Sequence, residues 1–136
     1  MRPKLPPFQF IVILAIVFVL GGCLPGALKI SVNSSPDGVV EFLVDHVSGD
    51  CGAHESALIQ TIWVGKIQDD GKAKTIWHLR SIDAEGLPIR SLKYGVNPEG
   101  FQEQEKSQSL INGAEYDIEV SGHGCSGGLK FKIGGY

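Results

Sequence analysis

Three stretches of this chain alternate apolar and polar residues with a period of two. They are Leu28-Lys29-Ile30-Ser31-Val32, Glu115-Tyr116-Asp117-Ile118-Glu119-Val120 and Leu129-Lys130-Phe131-Lys132-Ile133. A period of two sends successive side chains to opposite faces of an extended chain, so each stretch buries one face and wets the other. Val39–Val44, Ala57–Ile67 and Thr75–Ile82 are rich in β-branched and aromatic residues and read as strands of a sheet core. Turn chemistry separates them at Ser34-Ser35-Pro36-Asp37-Gly38, at Gln68-Asp69-Asp70-Gly71-Lys72 and at Asn97-Pro98-Glu99-Gly100. The second of these reads as a hairpin loop, and segments 87–96 and 101–110 supply one or two further strands. No stretch shows sustained helical periodicity with caps. The pattern predicts an all-β domain, an antiparallel β-sandwich of about seven strands, with a small barrel as the main alternative.

The N-terminus follows a different logic. Residues 1–7 carry Arg2 and Lys4 and no acid, and residues 8–20 are apolar apart from Gln9. Thirteen residues are too few to cross a bilayer, which takes about 20, and suit the apolar region of a secretory signal. Gly21 and Gly22 then precede Cys23. Leu20-Gly21-Gly22-Cys23 resembles the lipobox of bacterial lipoproteins. The resemblance implies cleavage before Cys23, a diacylglyceryl group on its sulfur and an acyl group on its new amino terminus. Small residues let a peptidase reach the backbone, and only a thiol forms the thioether. Three acyl chains hold a protein on a membrane stably. Leu24 rather than Asp follows the cysteine, which by analogy with Gram-negative lipoproteins implies the periplasmic face of the outer membrane. The expected organisation is a cleaved signal peptide over 1–22, a lipidated tether over 23–27 and a β-sandwich domain over 28–136.

A second resemblance sharpens the fold. Leu110-Ile111-Asn112-Gly113-Ala114-Glu115-Tyr116-Asp117-Ile118-Glu119-Val120 is similar to the tyrosine corner of fibronectin type III and other immunoglobulin-like domains. It implies that the Tyr116 hydroxyl bonds the backbone a few residues upstream, and that Trp63 or Trp77 is the buried aromatic of a central strand. In that arrangement strands A to G fall at 28–33, 39–46, 57–67, 75–82, near 89–110, 115–122 and 129–133. Such a fold hosts unrelated functions.

With Cys23 lipidated, Cys51 and Cys125 remain. An even pair in an exported domain reads as a disulfide, and the sandwich topology brings the B–C loop of Cys51 to the F–G loop of Cys125. The two are 74 positions apart in the sequence, so the bridge is worth roughly 4 kcal/mol in the chain-entropy model. His46, Asp50, His54, Glu55 and His123 gather at the same end, and within glycine-rich Ser121–Gly128 the central Gly122-His123-Gly124-Cys125 reads as a flexible F–G loop. His46, His54, Glu55 and His123 are the candidate binding loops. Their alternative use is as Zn or Cu ligands, with His46, His54 and His123 as the set, although the spacings match no strong metal signature. Otherwise they are polar loop residues near a disulfide. His78 lies within a strand and reads as a partly buried aromatic.

The remaining composition excludes more than it assigns. Twelve basic residues against fifteen acidic ones give a net charge of −3, and setting aside Arg2 and Lys4 leaves a domain at −5. The signs are mixed along the chain, with no basic footprint for nucleic acid. There is no nucleophile elbow, phosphate loop or Cys-x-x-Cys motif, and Asp69-Asp70 sits in a turn that favours acids for conformational reasons. No small-molecule substrate or cofactor is expected beyond the covalent lipid. The chain reads as a non-enzymatic binding or envelope-assembly module. Its partners would be the membrane, through the lipid, and an envelope protein met at a loop end or a sheet edge. A metal-binding lipoprotein and a lipoprotein subunit of a secretion or envelope machine are the alternatives.

Overall fold

The alternation in the sequence becomes burial in three dimensions. In the computed structural model, which describes residues 26–49 and 57–134, β1 (Gly26–Ser34) buries Leu28 and Ile30 and exposes Lys29 between them. β8 (Glu115–Gly122) buries Tyr116, Ile118 and Val120 and exposes Glu115 and Glu119. The other strands are β2 (Val40–Ser48), β3 (Leu58–Ile67), β4 (Ala73–Ser81), β5 (Leu87–Pro88), β6 (Ser91–Lys93), β7 (Phe101–Glu105) and β9 (Cys125–Lys132). No helix occurs among the described residues. The all-β class is therefore as expected, and the β3–β4 hairpin closes through Gln68 N–H to Lys72 O at 2.8 Å.

The strands form one sheet in the order β6-β2-β1-β9-β8-β3-β4-β7, with β5 paired to the start of β3. Every ladder is antiparallel except one. Gly26 and Ala27 of β1 run parallel to Cys125 and Ser126 of β9, so the sheet is mixed. After a register shift between Ala27 and Leu28, β1 follows β2 as far as Ser34 opposite Val40. β1 thus pairs on both sides at Ala27 and with β2 alone from Leu28 onward. Gly127 permits the junction, because a Cβ there would lie 2.2 Å from the Leu28 carbonyl oxygen.

Beyond that junction the sheet curls, and its two halves enclose one core. Phe42 of β2 meets Phe131 of β9 edge-on with ring centroids 5.4 Å apart, and Phe131 stacks on Tyr116 at 5.6 Å. Ile59, Ile62 and Val64 of β3, Trp77 and Leu79 of β4, and Ile118 of β8 are fully buried around them. Tyr116 is also buried, and its hydroxyl accepts the Ile111 N–H at 2.7 Å, which is the local geometry expected for Leu110–Val120. Of the two tryptophans, Trp77 is the core aromatic; its Nε1 donates to Glu103 Oε2 at 3.3 Å.

Three expectations are adjusted. The region near 89–110 is not one strand: β6 joins β2 at one margin of the sheet, whereas β7 returns to β4 at the other. The loop expected over Gly122-His123-Gly124-Cys125 is shorter than that. β8 and β9 enclose only His123 and Gly124 between them, so Cys125 opens a strand. Gly122, Gly127 and Gly128 each meet a close backbone contact, while Gly124 takes the positive φ of 77° that the turn requires. Among the described residues there are nine strands where about seven were expected, the added ones being the short β5 and β6 with two and three residues.

Tyr94 packs edge-on against Trp77, with centroids 5.0 Å apart, and donates its hydroxyl to Gln108 O. Burial, with a smaller contribution from the nearby Tyr116, pushes its pKa from 10.0 up to about 12. The folded state therefore holds this proton more tightly than the unfolded chain does. The corresponding stability is whole below pH 10 and is lost as pH rises toward 12. Chemical denaturation across that window is expected to show a falling stability that becomes shallower in Tyr94→Phe. An identical alkaline fall in the variant would exclude Tyr94 as its source.

Candidate functional site

Strand pairing builds the end of the fold singled out by the sequence. Cys125 lies opposite both Gly122 and Gly26, Ile59 lies opposite Gly122, and His46 lies opposite Leu28. The starts of β1, β3 and β9 and the ends of β2 and β8 therefore meet there. Cys125 is buried and disulfide-bonded. Its expected partner Cys51 lies outside the described residues, as do Cys23, Asp50, His54 and Glu55. His46 and His123 are exposed, and the His123 N–H donates to Leu58 O at 3.1 Å. Among the described residues no group of three or more His, Cys, Asp or Glu side chains is placed to hold a metal ion. His78 is half-buried on β4, opposite Trp63.

A different arrangement occupies the outer face of the sheet. Because Ile62 and Val64 point into the core, strand alternation sends Thr61, Trp63 and Gly65 outward. The same logic turns Asp117, Glu119 and Ser121 of β8 outward beside them. In register, Trp63 faces Glu119, Thr61 faces Ser121, and Gly65 faces Asp117. Trp63 lies down on the sheet. A Cβ on Gly65 would come within 2.4 Å of its Cη2 and 2.7 Å of its Cζ2, so the indole occupies the space left by the missing side chain. Its Nε1 donates to Thr75 Oγ1 at 2.7 Å. The ring is seated on the strand at Gly65, and the side chain is half-buried.

Next to the indole is a depression of about 440 Å³. On its β9 side Gly128 stands opposite Glu119, so the row Gly128–Glu119–Trp63 lacks a side chain at one end. Asp117, Ser121 and Ser126 complete the lining. The hydroxyls of Thr61 and Ser121 are hydrogen-bonded to each other. A larger hollow of about 560 Å³ lies at the β3–β4 hairpin, where Lys66 and Lys74 share the lining with Asp69 and Asp70. It has no aromatic surface and follows the contour of a charged turn. The outer-face depression is the better-formed site because its aromatic wall is fixed by packing and by a hydrogen bond.

Comparison with protein-family models, with curated proteins and with solved structures gives no match. The geometry is left to support a functional reading by itself.

Sequence reasoning missed this face by treating Trp63 only as a candidate core aromatic. The available signals were Gly65 two positions after Trp63, the polar series Asp117, Glu119 and Ser121, and the pair Gly127-Gly128. What was missing was the register that sets Gly128, Glu119 and Trp63 in one row.

Two outcomes are expected. Gly65→Ala should lift the indole, break the bond to Thr75, shift tryptophan emission to the red and cost about 1 kcal/mol. Buried Trp77 supplies a constant background, so an unchanged spectrum would show that the ring is not seated on Gly65. Peptide mapping without reductant should link Cys125 to Cys51, with reduction lowering stability by up to about 4 kcal/mol; a link to Cys23 would refute the pairing.

Proposed function

We propose that this chain is a lipid-anchored, non-enzymatic binding module of the bacterial envelope, held at the periplasmic face of the outer membrane, with the Trp63 face as its ligand surface. The observation that carries the binding reading is the immobilised indole beside a depression on an otherwise polar strand face. Aromatic surface with a few convergent polar groups is the usual make-up of a recognition site. The anchor reading rests on Leu20-Gly21-Gly22-Cys23 and on the chain that follows it.

That chain is short. Gly26, three positions after Cys23, already donates its N–H to Gly124 O at 2.8 Å. Three extended residues span at most about 11 Å. In a lipidated protein the Cys125 end would therefore sit against the headgroups. This argues against the His46 and His123 end as the surface for a soluble partner, and for a face that runs along the strands.

In a Gram-negative host, full-length Cys23→Ser is expected to lose incorporation of a labelled fatty acid and to move from the membrane fraction to the soluble periplasm. Trp63→Ala should leave both properties unchanged. Continued lipid labelling of Cys23→Ser would refute the anchor.

A further inference from the structure

We propose that the Trp63 depression binds a neutral glycan, with one sugar ring stacked on the indole. The proposal rests on the reading of this face as a ligand surface and adds the chemical class of the ligand. A sugar ring offers a flat patch of C–H groups and a rim of hydroxyls. The first matches a flat, immobile aromatic surface, and the second matches acceptors set around it. Trp63 supplies the surface and cannot swing away, because Gly65 receives the ring and Thr75 holds Nε1 at 2.7 Å. Glu119 stands directly beside the indole in the ladder, with Asp117 and Ser126 further along the lining. Carboxylates accept hydrogen bonds from hydroxyl groups with more strength than neutral acceptors do.

Two features favour a neutral sugar over a cationic ligand. A cation held by aromatic groups gains most when it is desolvated, which calls for enclosure by several rings. This depression is open and has a single aromatic wall. Of the two carboxylates in the lining, Asp117 also has Lys130 opposite it in the β8–β9 ladder, which offsets part of the negative charge, whereas Glu119 has Gly128 opposite it. A volume of about 440 Å³ falls within the ordinary range for small-ligand sites.

The test uses the full-length lipidated protein in detergent micelles on an array of neutral oligosaccharides: β-1,4-glucan, chitin, α-glucan and mannan fragments. Positives are then titrated by tryptophan fluorescence. At least one oligosaccharide is expected to bind, with affinity falling tenfold or more in Trp63→Ala, recovering in part in Trp63→Phe, and falling in Glu119→Gln. Thermal unfolding of each variant checks that the fold is intact. Sugar binding that survives Trp63→Ala in full would overturn the proposal by locating the site elsewhere. A Trp63-dependent response to a lysine-rich peptide but to no oligosaccharide would overturn the glycan and leave the surface standing. No Trp63-dependent response to either kind of probe would overturn both.

Discussion

The fold depends on the division of β1 between two neighbours. Its first two residues pair parallel with β9, and from Ala27 onward it pairs antiparallel with β2. Without the pairing of β1 to β9 the sheet separates into two pieces, β6-β2-β1 and β9-β8-β3-β4-β7, with no other strand ladder joining them among the described residues. The junction needs close approach of two backbones, which Gly127 allows. The curl that follows brings Phe42 over Phe131 and Tyr116, so that residues from both halves share one core. Burying apolar surface on both halves then holds the curl in place.

Much of this architecture was legible in the alternation of residues. Leu28 and Ile30, Tyr116, Ile118 and Val120 bury as a period of two requires, and Gln68–Lys72 turns where its composition says it should. Tyr116 was legible for a further reason: its motif includes the backbone group it bonds. The split of 87–110 into β5, β6 and β7 was not legible. Which margin a short strand joins is decided by contacts distant in sequence, and three residues of β6 contain no record of β2. Gly122, Gly127 and Gly128 misled for a physical reason, since glycine marks close approach as readily as it marks a loose loop. Here a Cβ at Gly122 or Gly127 would strike the carbonyl oxygen of Leu58 or Leu28.

The candidate site divides along the same line. His123 and Cys125 were visible as residue types that attract attention, and the structure sets them at one end of the strands. The Trp63 face consists of ordinary strand residues whose significance lies in their register: a tryptophan over a glycine, a carboxylate beside it, and a second glycine where a neighbour would have filled the gap. Only the pairing of β3, β8 and β9 makes them a surface.

The margins of the sheet bear on how the molecule behaves among its own copies. Beyond Ser126, β9 has no partner on its β1 side among the described residues, and it carries Lys130 and Lys132; β7, at the far margin, carries Glu103 and Glu105. Charge on open strands opposes unwanted pairing. The division of β1 has a mechanical counterpart. A pull on the chain at Gly26 runs along the axis of β1, so the ladder to β2, from Leu28 to Ser34, is loaded in shear with its hydrogen bonds bearing the force together. The strand that closes the curl is thus also the member through which tension at the N-terminal side enters the domain, and it meets that tension lengthwise instead of peeling one bond at a time.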